Sequence, residues 1–242
     1  MSIPQVHIHG INSVSLDDVP MPDIGPDDIL LRVSLCGICG SDLGYIAMGG
    51  LGITQPMPLG HELVGNISAT GANVKQLSVG DRVVVNPMAA GNSIGNGGTE
   101  GAFTPYLLVR NVATDTQAAL KVPESLTDEQ AAMVEPLSVA LHGCHQGRVK
   151  PGDNAVVFGA GPIGLCTALC LGYLGLEQIV VVDTSEFRLA AAKRIGAIPF
   201  KAGSGSLANF LTEQHGAAVL MGKPVPATDL FFEATGVKPE FL

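Results

Sequence analysis

The sequence predicts a β-rich domain followed by an α/β domain built on a parallel sheet, and three observations carry that prediction. Short β-branched runs separated by turn residues fill roughly the first 150 positions. After the turn Lys150-Pro151-Gly152-Asp153, strands alternate with helical stretches, the rhythm of a parallel sheet covered on both faces. At 242 residues the chain exceeds the usual single domain of about 100–200 residues. The domain boundaries read from the sequence are therefore 1–150 and 151–242.

In the first domain strands are expected at 29–35, 63–69, 82–85 and 103–109, the pattern of a small barrel or sandwich. The glycine-rich stretch 89–101 reads as an exposed flexible loop. Thr127-Asp128-Glu129-Gln130 has the form of a capping box, and a helical pattern continues from Val134 to Gln146. In the second domain strands are expected at 155–158, 179–183, 198–201 and 229–233, with helices near 162–174, 185–195 and 206–215. The run from Ala155 to Leu176 carries no charge and meets the roughly 20-residue length of a membrane span. Pro162 and the surrounding glycines divide it instead into strand, turn and buried helix.

Composition narrows the function classes. Hydrophobic residues make up 46% of the chain and charged residues 14%, enough apolar material for a buried core. The net charge of −9 and the absence of a Lys/Arg cluster exclude the basic stripe that nucleic-acid binding requires. The stretch from Met1 to His7 lacks a basic segment followed by an apolar one, so no secretory signal is expected. Five irregularly spaced cysteines suit reduced thiols or metal ligands better than a disulfide framework, which points to the cytoplasm.

Two motifs carry chemistry. Gly159-Ala160-Gly161-Pro162-Ile163-Gly164 is a G-x-G-x-x-G turn between a predicted strand and a predicted helix, with Asp183 at the end of the next strand, the spacing of about 20 residues expected of a dinucleotide site. Gly159 permits the turn, Gly161 admits the pyrophosphate to the backbone, and Gly164 lets the helix pack on the strand. The helix N-terminus then faces the phosphates. Asp183 accepts from ribose hydroxyls and repels a 2′-phosphate, favouring NAD over NADP, although Arg188 could accommodate that phosphate.

The second motif pairs Cys36-Gly-Ile-Cys39-Gly-Ser41-Asp42 with Gly60-His61-Glu62. Thiolate, imidazole and carboxylate are ligand types that zinc accepts, and a catalytic zinc keeps one position open beside three protein ligands. Cys36-x-x-Cys39 also has the spacing of a redox pair, without the thioredoxin-like setting such pairs occupy. Glu135, on an otherwise apolar helix, joins the convergent polar residues, whereas His142 and His145 read as structural.

Taken in order, Cys39-Gly40-Ser41-Asp42, the stretch from Gly60-His61-Glu62 to Gly65, Gly71 and Val74, Gly80-Asp81-Arg82-Val83, Glu135-Pro136-Leu137-Ser138, and the Gly159–Gly164 turn resemble the zinc-dependent medium-chain alcohol dehydrogenases. The likeness lies nearest the sorbitol, butanediol and idonate dehydrogenase branch and covers essentially the whole chain. It implies a GroES-like barrel carrying zinc, then a Rossmann domain carrying NAD, with a cleft between them. It makes Cys39 and His61 zinc ligands, with Glu62 and Glu135 as carboxylates that ligate the metal or hold its water. Ser41 resembles the hydroxyl of a proton relay. The implied reaction moves hydride from a polyol or secondary alcohol to NAD and gives a ketone. The implied partners are small molecules, with neither nucleic acid nor membrane, and full-length relatives are homo-oligomers.

The chain departs from that pattern in three places. Gly44 stands where relatives often carry a relay histidine, leaving Tyr45 and water as a route for the proton. Residues 86–103 contain no cysteine, so one catalytic zinc and no structural zinc is expected. Four strands are counted where the complete nucleotide fold has six, so the resemblance implies a C-terminally truncated chain with an incomplete Rossmann sheet. Two rival readings are a zinc-free quinone or enone reductase of the same superfamily, and an inactive chain that retains zinc or nucleotide binding.

Overall fold

The computed structural model describes residues 1–236. β1 (Ser2–Gly10) and β2 (Ser13–Pro20) form an antiparallel hairpin in which Ile3, Gln5 and His7 share the buried face of β1. β3 (Ile29–Gly37) enters the main sheet with Ile29 and Leu31 fully buried. α1 (Gly40–Met48) follows, and then β4 (Met57–Pro58), which pairs with β1. β5 (Glu62–Thr70), β6 (Arg82–Val85), β7 (Tyr106–Val109) and β8 (Ala119–Lys121) complete an antiparallel sheet of order β7-β3-β5-β6-β8. Its core gathers Leu63, Ile67, Val83, Val85, Leu107 and Val109, each side chain contributing about 1.5–3 kcal/mol when fully removed from water.

The glycine-rich stretch is not the exposed flexible loop its composition suggests. Ile94 is fully buried in the sheet's core, and buried Asn92 ties the stretch to β7: its Nδ2 donates to Arg110 O and its Oδ1 accepts from Arg110 N, both at 3.0 Å. Composition reports backbone freedom; one apolar and one amide side chain decide how much of it is used.

The Thr127 box caps α2 (Asp128–Ala132), with Gln130 N–H donating to Thr127 Oγ1 at 3.3 Å, and α3 (Val134–Gln146) begins after Met133. The chain divides into compact units within α3, at Glu135 and Pro136, ahead of the turn at Pro151 where the sequence changes character. The reason lies in where the helix buries its apolar residues: Val134 packs with Val64 and Val84, whereas Leu137, Ala140, Leu141 and Cys144 pack into the core of the second unit.

That unit contains β9 (Ala155–Phe158), α4 (Pro162–Tyr173), β10 (Ile179–Asp183), α5 (Glu186–Arg194), β11 (Ile198–Lys201) and α6 (Leu207–His215). A hairpin of β12 (Ala217–Leu220) and β13 (Lys223–Pro226) precedes β14 (Leu230–Glu233). The parallel sheet has the order β11-β10-β9-β14: the chain winds outward from β9 and then returns to its other side. This is the 3-2-1-4 part of a doubly wound sheet, with its switch point beside β9, where such sheets bind ligands. The uncharged run resolves into β9, a turn and α4. No helix among the described residues is long and apolar enough to cross a membrane.

His215 closes this unit. Its Nδ1 lies 2.8 Å from Thr228 Oγ1, and its buried Nε2 has no hydrogen-bond partner among the described residues. Burial holds its pKa below the ordinary value, outweighing the opposing pull of the Asp229 carboxylate. The folded form therefore binds fewer protons than the unfolded one, so this contribution to stability is complete above the unfolded value of about 6.5 and is lost as pH falls below it. Urea midpoints measured at pH 7.5 and 5.5 should show a loss in the wild type that His215→Gln lacks; equal losses would refute it.

Candidate functional site

α1 owes its position to Asp42. Cys39 is its N-cap, and the Asp42 carboxylate three residues on accepts from Cys39 N–H at 2.8 Å. At the other end Gly49 takes φ 81°, closing the helix in a left-handed cap. Register then brings β5 alongside: Gly37 pairs with Glu62, and a Cβ at Gly37 would collide with Glu62 Oε2. The missing side chain is the space the carboxylate occupies.

These constraints gather Cys39, His61 and Glu62 so that one ligand atom of each lies within 4.8 Å of the others. His61 and Glu62 are buried, and Cys39 is half-buried. Asp42 was not among the candidate ligands read from the sequence, yet its side chain is 1% exposed and its Oδ1 lies 3.6 Å from His61 Nδ1. At that distance the carboxylate makes an ion-pair contact with the imidazole rather than a hydrogen bond, and it leaves the other ring nitrogen for a metal. The clue was present in the sequence as an aspartate three residues after the N-cap cysteine, the position that reaches back to the cap N–H.

The electrostatics call for a cation. Burial works against a charged imidazole, but the Asp42 carboxylate and the Cys39 sulfur outweigh it and push His61 up to about 10. Burial raises the pKa of Glu135 as well; its field comes from His61, which lowers it, and from Glu62 and Asp42, which raise it further. Ser41 Oγ, Asp42 Oδ1 and His61 Nδ1 are buried without hydrogen-bond partners among the described residues. A sulfur–nitrogen–oxygen donor set with orphaned polar atoms around it fits a zinc ion.

The remaining candidates divide. Cys36 packs against the sheet's core rather than pairing with Cys39, and burial first, then the Asp42 and Glu62 charges, push its thiol up to about 12. The Tyr45 hydroxyl donates to Asn96 Oδ1 at 3.0 Å, and its ring packs with Ile8, Met57 and Leu59. His142 and His145 are exposed on α3.

At the nucleotide motif, Gly159 has φ 98°, and a Cβ there would lie 2.7 Å from Ala234 O. Gly161 caps α4 with Pro162 in its first turn, and a Cβ at Gly161 would meet nothing within 4 Å. That open space in front of a helix N-terminus suits a pyrophosphate. At Gly164 a Cβ would overlap the Gly159 carbonyl oxygen, so glycine is what allows α4 to lie on β9. The Asp183 carboxylate brackets the turn, accepting from Ala160 N–H and Ser185 N–H at 2.8 Å each, with Arg188 Nε 3.6 Å away. Burial raises its pKa, but those N–H groups and Arg188 bring it below the ordinary value. Each oxygen keeps a second lone pair for a ribose hydroxyl.

Comparison with known proteins gives the chain its relatives. Residues 25–124 match the Alcohol dehydrogenase GroES-like domain. Sorbitol dehydrogenase of Rattus norvegicus is 38% identical over 206 residues, covering 78% of this chain and 57% of that protein, so the chain spans little more than half the length of this relative. The crystal structure of 2R,3R-butanediol dehydrogenase from Bacillus subtilis superposes with a TM-score of 0.82 at 31% identity, covering 97% of this chain and 71% of that one. A Sinorhizobium meliloti 1021 dehydrogenase bound to NADP gives 0.79 at 25% identity, covering 98% and 71%.

Proposed function

The chain belongs to the zinc-dependent medium-chain alcohol dehydrogenases, and on that premise we propose that it oxidises a polyol or secondary alcohol to a ketone with NAD as hydride acceptor. The convergence of Cys39, His61 and Glu62 carries this reading. The names of its relatives, sorbitol and butanediol dehydrogenases, support the substrate class. Five free thiols support a reducing compartment, the cytoplasm.

Bound zinc supplies Lewis acidity that lowers the pKa of a coordinated hydroxyl, and bound NAD supplies the hydride acceptor. The chain's own residues do the rest. Cys39, His61 and Glu62 would hold the metal, Asp42 stands behind the His61 ring, and Glu135, whose carboxyl feels the charge of His61, would add a carboxylate for the metal or its water. The buried hydroxyl of Ser41, free of other partners among the described residues, would accept the alcohol's proton while passing its own proton onward. Beyond Ser41 the proton follows a different route from that of relatives or passes through Tyr45, whose hydroxyl donates to Asn96, and water, since Gly44 offers no side chain. Gly161 leaves room for the pyrophosphate, and Asp183 orients the ribose. Its negative charge selects NAD, with Arg188 as the group that moderates this preference.

Zinc-loaded chain should form NADH from sorbitol or 2,3-butanediol and stop when a chelator removes the metal; failure to bind either zinc or NAD would refute the reading. The nucleotide half has its own test. Asp183→Ala should weaken NAD binding about 10- to 100-fold, the worth of hydrogen bonds to a charged group, and leave zinc content unchanged. Calorimetry showing wild-type NAD affinity in the variant would remove Asp183 from the site.

A further inference from the structure

A second group of metal-ligating side chains lies away from the Cys39 centre. His7 and His9 lie on β1, where the pairing with β2 shifts register between Ile8 and Gly10, and the Asp17 side chain of β2 meets both rings. Asp17 Oδ2 is 3.0 Å from His7 Nδ1 and 2.7 Å from His9 Nε2. The two rings stand edge to face, with centroids 6.4 Å apart. Ser15 Oγ donates to the other carboxylate oxygen at 2.5 Å, which fixes the Asp17 side chain.

Three features distinguish this group from an ordinary surface ion pair. The His7 side chain is 8% exposed, so its Nδ1 is a buried donor or acceptor. Although Asp17 is close, Nδ1 makes no hydrogen bond of proper geometry among the described residues. One carboxylate oxygen is thus asked to satisfy two imidazole nitrogens, and it serves the buried one poorly. The three donors do not converge on one point as they stand, but a cation drawn between them with the His9 ring swung inward would satisfy all three. The His9 side chain is 43% exposed, which gives its ring freedom to swing inward and leaves the outer positions open to water.

We infer that His7, His9 and Asp17 form a second divalent transition-metal site, of the zinc, nickel or copper(II) class, on the β1–β2 hairpin. Two imidazoles and one carboxylate are donors that these ions accept, with water completing the shell. Binding requires both rings neutral and the carboxylate ionised, and the Ser15 hydrogen bond keeps Asp17 ionised. The ion cross-links the two strands of the hairpin.

Equilibrium dialysis of the full chain against zinc alone, with the metal counted by elemental analysis, tests this. The wild type should hold two equivalents. His9→Gln, a change at an exposed side chain, should hold one, with affinity for the second reduced at least tenfold. Cys39→Ser should also hold one, and the double variant none. Asp17→Asn gives an independent check should His9→Gln disturb the hairpin. A Cys39→Ser chain without zinc, a His9→Gln chain with two equivalents, or loss of the second equivalent on replacing His142 instead would overturn the assignment.

Discussion

Cys39→Ala should abolish zinc binding at the Cys39 centre and, on the proposed function, lower turnover at least about a thousandfold, since the Lewis acid it removes is worth several kcal/mol of barrier and about 4 kcal/mol is three powers of ten. Three protein donors converge there, and removing the sulfur leaves two, one of which is a buried imidazole with Asp42 behind it. The residue is the cap of α1, and alanine keeps the bond that the Cys39 N–H donates to the Asp42 carboxylate while losing the sulfur's contact with the Asp42 N–H. The fold should therefore survive, and a thermal melt close to wild type separates loss of metal from loss of structure. Asp42→Asn provides the graded comparison: it keeps the shape but removes the charge behind His61, a change that typically weakens metal binding 10- to 100-fold. A Cys39→Ala chain that kept its full zinc complement and its activity would show that the three donors converge for another reason.

Much of the fold is legible in the residues, and the reasons are local. β9 and β10 are nearly continuous apolar runs bounded by turns, because strands buried on both faces need no alternation. Val156, Val157, Val180 and Val181 are fully buried, as that argument requires. α1 is illegible by propensity, since a nine-residue helix with two glycines has little intrinsic tendency to form. Asp42 at one end and Gly49 at the other define it instead, and neither contribution appears in a hydrophobic pattern. The hairpin β12–β13 is hidden for the opposite reason: β12 is exposed along its whole length, so no buried face imposes a period of two. At the metal centre the sequence shows the donors but not the register that pairs Gly37 with Glu62, because that pairing is a property of two distant strands.

The glycine turn separates a structural requirement from a ligand requirement, and the second large effect follows from it. Gly164→Ala places a methyl group on the Gly159 carbonyl oxygen, backbone against backbone, with Gly159 itself held by its φ of 98° and the nearby Ala234 carbonyl. No side chain is available to move aside, so α4 must lift from β9. The cost should reach the upper end of overpacking penalties, about 3 kcal/mol, a large share of the stability of a marginal domain. NAD binding should vanish with the packing of the turn, while zinc stays, because the metal donors all belong to Met1–Glu135. Gly161→Ala should do the reverse. Its φ of −74° is ordinary for alanine and a Cβ there meets nothing within 4 Å, so the fold should melt at the wild-type temperature. What the methyl group would occupy is the space in front of the α4 N-terminus, and NAD affinity should fall at least about tenfold, or 1.4 kcal/mol. Melting and NAD titration of the two variants therefore distinguish the roles. Wild-type stability in Gly164→Ala would contradict the packing argument, and wild-type NAD affinity in Gly161→Ala would place the pyrophosphate elsewhere.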